Sequence, residues 1–186
     1  MTDADARIAA LAGGLFYEHG ITATGVDALS KAAGISKRTL YERFGSKDGL
    51  ITAAYGALDV PTFELITGPA ERASSTPRGQ LDGLFAHLEA AAGTPGFRGC
   101  PFANAASEIS DPGHPALEIV RAHKERIRRW ILVRAKAVGA AQPERLSRQL
   151  LLLLDGAQTQ AVIQDSARPV RDARALARAL VDAAVS

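Results

Sequence analysis

The chain has 186 residues and a formal net charge of +2, a length that suits one globular domain or two small ones. Hydrophobic residues make up 47% of it, which supplies a sizeable core and excludes a disordered chain. Near-neutral charge excludes a uniformly basic coat, and the single cysteine, Cys100, excludes an internal disulfide.

The opening "MTDADARIAA" is acidic and lacks the basic flank and apolar run of a signal peptide. Ala4 to His19 then places Ile8, Leu11, Ala12, Leu15, Phe16 and His19 at helical spacing, and Gly20 supplies a stop. Thr24 fits an N-cap with Asp27 as its capping-box partner, opening a second helix over Gly25 to Ala33 with Val26, Leu29 and Ala33 inward. Gly34 ends it, Ser36 caps a very short third helix from Lys37 to Phe44, Gly45 ends that, and Ser46 caps a fourth. The fourth helix runs from Lys47 to about Arg72, with Pro61 expected to kink it.

Five further helices follow. They are expected over Gln80 to Ala92, Phe102 to Ile109, Ala116 to Val138, Pro143 to about Gln164, and Val170 to Val185. The segments "SSTPRG", "GTPGFRGCP" and "DPGHP" are the breaks between the earlier ones. The fold class is therefore all-α, with nine helices and no strand. The leucine run from Leu150 to Leu154 is far too short to cross a bilayer, so the expected location is cytoplasmic.

Charge is concentrated in one place. From Lys31 to Lys47 there are five basic residues and one acid, Glu42. The second and third helices, joined by a glycine turn, make a helix-turn-helix. Leu40 and Phe44 lie four apart and face inward, which leaves Lys37, Arg38, Thr39, Tyr41 and Arg43 largely outside. Such a helix fits a major groove about 12 Å wide, where cations reach phosphates or guanine edges and hydroxyls reach phosphates. Thr24 and Lys47 stand where helix N-termini meet backbone phosphates. A solvated charged hairpin is the alternative reading, and the coincidence of caps, glycine turn and inward pair argues against it.

The stretch "HGITATGVDALSKAAGISKRTLYERFGSKDGL" resembles the N-terminal signature of TetR-family transcriptional regulators, over Ala4 to about Ala54. The resemblance lies in Thr24-Gly25-Val26, the Ala33-Gly34-Ile35-Ser36 turn, Thr39-Leu40-Tyr41 and Phe44-Gly45-Ser46-Lys47. It implies a helix-turn-helix DNA-binding domain over residues 1–46 and a ligand-binding and dimerisation domain over residues 47–186. It also implies a homodimer that reads a palindromic operator and releases it when a small molecule occupies the second domain. By the family pattern Arg38, Thr39, Tyr41 and Arg43 touch DNA from the recognition helix, and Thr24 and Lys47 match phosphate contacts. Arg43 stands where the family often carries histidine or tyrosine.

In the C-terminal region "RGCPFANAASEISDPGHPA" resembles one branch of that family. Leu146, Leu150, Leu153, Leu154, Ala157 and Ala161 form one stripe, and Ala173, Leu176, Ala177, Leu180 and Ala184 another. Paired with their copies they would form a four-helix dimer interface through the last two helices; covering their own subunit is the alternative. Seven basic residues lie between Arg121 and Lys136, and they are expected to solvate the outside of a helix whose inner stripe holds His123, Ile127 and Trp130. Phe63, Phe85, Leu88, Cys100, Phe102, His123, Ile127 and Trp130 are the expected effector-binding residues, mostly apolar and suited to a small hydrophobic or aromatic ligand. Core packing accounts for each of them as well. Cys100, after Arg98 and Gly99, is either a sensor of oxidants or electrophiles or an inert core thiol. A thiol-dependent enzyme using Cys100 and His123 is the remaining alternative, but no carboxylate is spaced to orient the histidine. Neither metal-ligand spacing nor a phosphate-binding loop appears, so no metal or cofactor is expected and the chain reads as a non-enzyme.

Overall fold

Caps and prolines decide where the helices begin. The computed structural model describes residues 2–185, and among them nine helices and no strand are formed. Met1 and Ser186, the outer limits of the two expected domains, lie outside the described residues. Helix α1 spans Asp3–His19. Thr2 accepts from the Asp5 amide at 3.2 Å while the Asp5 carboxylate accepts from the Thr2 amide at 2.9 Å, a full capping box. Its buried face is Ala9, Ala12, Gly13 and Phe16; His19, expected inward, is exposed because it falls beyond the last packed turn.

Helix α2 spans Val26–Ala33, and its N-cap is Gly25 with no side-chain bond. The expected capping box of Thr24 and Asp27 is therefore absent, because Thr24 sits one residue too early and turns inward. Gly34 closes α2 in the left-handed region at φ 66°, where a side chain would clash with its own backbone. Ser36 caps α3 (Lys37–Phe44), accepting from the Thr39 amide at 3.0 Å, and Ser46 accepts from the Gly49 amide at 3.0 Å at the start of α4 (Lys47–Ala73). Helix α4 is continuous through Pro61.

Four of the remaining helices open on a proline at their first residue: α5 (Pro77–Ala92), α6 (Pro101–Glu108), α7 (Pro115–Ala137) and α8 (Pro143–Gln164). In α9 (Arg168–Val185) proline is the second residue. Proline's fixed φ and missing donor suit the first turn, where amides have no intrahelical partner. This is why α5, α6, α7 and α9 begin one to three residues ahead of the apolar periodicity.

The chain forms two compact units. One comprises Met1–Pro61 and Pro101–His123, and the other Thr62–Cys100 and Lys124–Ser186. In the first, Phe16, Leu29, Leu40, Leu50 and Tyr55 are buried almost completely. In the second, one continuous core takes Leu81, Leu84, Phe85 and Leu88 from α5, Ile127, Trp130 and Ile131 from α7, Leu146, Leu150 and Leu154 from α8, and Val170, Ala173, Ala177 and Val181 from α9. Ala173 and Ala177 of the expected α9 stripe are buried beside Val170 and Val181, Leu180 and Ala184 pack against the core, and Leu176 faces outward.

Helix α9 is tied to α5 by charge as well as packing. Asp82 accepts two bonds from Arg174, at 2.6 and 2.9 Å, and two from Arg178, also at 2.6 and 2.9 Å. Hydrogen bonds from Arg174 and then Arg178 hold its carboxyl far below the usual carboxylate range. A group whose folded-state pKa is depressed contributes stability above its unfolded pKa, about 3.9 for Asp, and loses it as pH falls towards the folded value. Asp82→Asn is expected to lower stability by about 1–2 kcal/mol at pH 7. The difference from wild type in thermal melts should shrink steadily below about pH 4; a gap independent of pH would separate the effect from this carboxylate.

Candidate nucleic-acid interface and effector residues

Helix α3 has eight residues, and only Leu40 among them is buried. Phe44 is half-buried beside it, and Tyr41 is 44% exposed. Lys37, Arg38 and Arg43 are exposed, and Thr39 is half-buried with its hydroxyl 2.9 Å from that of Ser36. The outward cations are not idle: Lys37 pairs with Asp27, and Arg38 donates to Glu42 at 2.8 Å one turn on. Exposed pairs of this kind contribute about 0–1 kcal/mol, so a phosphate or base edge can displace either carboxylate at little cost.

The other three expected DNA-contacting residues are engaged inside the unit. Thr24 is buried, its hydroxyl donating to the Gly20 carbonyl at 2.6 Å and lying 3.4 Å from that of Leu15. The hydroxyl expected at a phosphate is turned here to the carbonyls of its own turn. Arg43 donates to Asp5 of α1 at 2.6 Å, and Lys47 donates to the Ile21 carbonyl at 2.7 Å. Bonds from Thr2 and then from Arg43 hold the Asp5 carboxyl down at about 2. Glu108 of α6 accepts from the Thr22 amide at 3.0 Å. The turn between α1 and α2 is therefore gripped by Thr24 from within, by Lys47 from α4 and by Glu108 from α6. Sequence reasoning missed Glu108 and Asp5; the capping position of Asp5 was legible, but partners 86 and 38 residues away in the chain were not.

The arrangement can present cations and a phenol on one face of a short, firmly seated helix. It matches a known pattern: residues 8–54 match the family described as bacterial regulatory proteins, tetR family. A protein from Streptomyces avermitilis described as a TetR transcriptional regulator is 32% identical, with 98% of each chain covered and a TM-score of 0.85. The chain belongs to the TetR family of transcriptional regulators. A TetR-family regulator from Streptomyces coelicolor is 28% identical, with 100% of this chain and 91% of that one covered at a TM-score of 0.88. The reduced form of NemR from E. coli, 19% identical over 95% of each chain with a TM-score of 0.85, shares the fold. No curated protein matches the chain.

The effector residues expected of this TetR-family chain divide between the two units. In the first, His123 is fully buried with Nδ1 2.8 Å from Asp59 Oδ1. Its ring stacks on Phe102 at 3.7 Å and 9°, and Tyr55 meets Phe102 edge-on at 5.6 Å. In the second, Phe85, Leu88, Ile127 and Trp130 belong to the continuous core, and Phe63 packs against it under the Arg126 guanidinium at 5.7 Å. The Trp130 indole donates to Glu71 at 2.7 Å, and Arg134, which also donates to Glu71 at 2.7 Å, covers its ring at 3.7 Å. Cys100 is buried, and its sulfur accepts from Lys124 at 3.3 Å; Lys124 donates in turn to Asp155 at 2.5 Å. Burial alone would lower the Lys124 ammonium, but Cys100 and Asp155 outweigh it and hold it above the usual lysine range. Asp59 and Asp155 were the missed partners. The second left a trace, a lone acid closing a run of five leucines, whereas the first left none.

Four of the basic residues of α7, Lys124, Arg128, Arg129 and Arg134, pair with carboxylates. Arg128 binds Glu125 at 2.7 Å and Glu144 at 2.9 Å, and Arg129 binds Glu125 at 2.9 Å. Bonds from Arg128 and Arg129 hold the Glu125 carboxyl at about 2. Among the described residues no group of three or more His, Cys, Asp or Glu side chains could hold a metal ion, and no helix is long and apolar enough to cross a membrane.

Thr24→Val is expected to cost about 1 kcal/mol of stability through the lost buried bond. The salt dependence of operator affinity should keep its slope, which steepens by about 0.9 for each neutralised phosphate. A shallower slope in the variant would place that hydroxyl on DNA.

Proposed function

We propose that this regulator is a dimeric repressor that grips a palindromic operator and is released by a small apolar effector. The observation that carries the reading is the outward face of α3, with Lys37, Arg38 and Tyr41 exposed on a helix seated by Leu40. Lys37, Arg38, Thr39 and Tyr41 read the duplex. Arg43 and Lys47 first hold the unit together and reach phosphates only as an addition. Two-fold symmetry is what a palindrome requires. Support for a dimer comes from α8 and α9, where Leu152, Ile163 and Leu176 are 73%, 68% and 58% exposed. Leu152 and Leu176 border a hollow of about 490 Å³ whose walls include Leu153, Gly156, Ala157 and Ala173. Exposed leucines of this kind gain by burial against a second copy.

The effector acts by binding the released state more tightly than the operator-bound one, since only differential affinity shifts the equilibrium. Phe63, Phe85, Leu88, Ile127 and Trp130 in the second unit, and Phe102 and His123 in the first, are the side chains proposed to respond to it. Selection from random DNA should yield a palindrome, and Lys37→Ala with Arg38→Ala should weaken binding at least tenfold. Leu152→Asp with Leu176→Asp should give monomers by sedimentation and weaken operator binding. Recovery of asymmetric, unrelated fragments would defeat the proposal.

A second reading is favoured by one contact, the Lys124 ammonium 3.3 Å from the Cys100 sulfur. Here the signal is an electron-poor alkene: the sulfur bonds to its β-carbon, and the thiol proton ends on the α-carbon. Lys124 stands as donor and counter-charge beside the reacting sulfur. Cys100→Ser should then abolish release of the operator by N-ethylmaleimide while leaving operator affinity unchanged; release that persists in the variant rules the reading out.

A further inference from the structure

Helix α3 carries one acid, Glu42, and the operator reading gives it no task. Arg38 and Glu42 lie two residues to either side of Leu40. With about 3.6 residues per turn, both point away from that buried anchor. They are four apart and therefore neighbours on one face, which Tyr41 shares. Side chains on a helix lean towards its N-terminus, which brings the Glu42 carboxylate back over Arg38. Glu42 Oε1 accepts from Arg38 Nε at 2.8 Å, and the Arg38 and Glu42 side chains are 88% and 58% exposed. As a bare surface charge, a carboxylate in that place would repel phosphates and oppose the cations beside it.

The geometry of the pair gives Glu42 a different part. A guanidinium has one N–H on Nε and two on each terminal nitrogen. Glu42 takes Nε and is the one partner of Arg38 among the described residues, so Nη1 and Nη2 stay open side by side. Those two nitrogens are the end of the fork, and they fit guanine O6 and N7 together. A guanine therefore engages Arg38 without displacing Glu42. Arg38 is also the second residue of α3, in the N-terminal turn from which recognition helices touch base edges. An arginine already held at Nε has less rotamer freedom left to lose when DNA arrives. Lys37, one residue earlier, pairs with Asp27 of α2 through an ammonium, which has no fork to select a base.

We infer that Glu42 is a positioning residue: it holds Arg38 end-on, so that Arg38 selects a guanine in each operator half-site. The inference rests on the reading of α3 as the recognition helix. It adds the base that is read and the acid that fixes how it is read.

The test uses the full-length chain and the palindrome it selects from random DNA, together with duplexes in which each half-site guanine is replaced in turn by adenine. One such replacement should weaken wild-type binding about tenfold. Arg38→Lys, which keeps the charge and loses the fork, should bind the guanine and adenine duplexes equally. Glu42→Ala should reduce the preference for that guanine at least threefold and leave the preferences at other positions as they are. Glu42→Gln loses the charge but keeps an oxygen for Nε, and it should retain most of the preference. Circular dichroism checks that each variant keeps its helices, and Glu42→Leu replaces Glu42→Ala if that variant does not fold. A guanine preference unchanged in Glu42→Ala, or lowered equally in Glu42→Ala and Glu42→Gln, overturns the positioning role. A palindrome in which no guanine depends on Arg38 overturns this inference alone, whereas recovery of no common sequence overturns the operator reading with it.

Discussion

The burial of Leu40 is the constraint on which the reading head depends. A helix of eight residues is too short to persist in water by its own hydrogen bonds. It persists here because Ser36 caps one end and because Leu40 is fully buried, with Phe44 half-buried one turn on. Once that single side chain is fixed, the rotation of the helix about its axis is fixed too. Lys37, Arg38 and Tyr41 then face solvent by geometry, since residues three and four apart share a face and those between do not. An apolar anchor therefore sets the direction of a polar surface.

The support under this helix is polar. Thr24 closes the turn between α1 and α2 on its own carbonyls, Lys47 holds the Ile21 carbonyl, and Glu108 holds the Thr22 amide. Arg43 joins α3 to α1 through Asp5. Residue types associated with phosphate contact are used here as struts. The same holds for the arginines of α7 and α9, which bind Glu125, Glu144, Asp82 and Glu89. A charged side chain buried or half-buried without a partner is costly, so the fold places an acid beside most of them. The acids that pair with Lys37 and Arg38 are themselves exposed and easily exchanged.

His123 and Cys100 take their surroundings from residues distant in sequence. His123 is held by Asp59 and stacked on Phe102, which fixes its ring in one orientation. Cys100 is a buried thiol, an environment in which cysteine behaves as a small hydrophobe, yet Lys124 and Asp155 place a cation against its sulfur.

The order and type of all nine helices were legible in the amino-acid sequence, because glycine stops, Ser36 and Ser46 caps and apolar spacing are local signals. So were the turn at Gly34 and the seating of Leu40. Helix starts were less so, since a proline at the first position carries no apolar periodicity, and α5, α6, α7 and α9 begin earlier than the stripe suggests. The partners of Arg43, Lys47, Cys100 and His123 were decided by tertiary structure alone. Each of those side chains can reach several acceptors, and which one it meets depends on how helices distant in sequence approach one another. Periodicity fixes the face on which a side chain lies, but the identity of the opposing face is a property of packing.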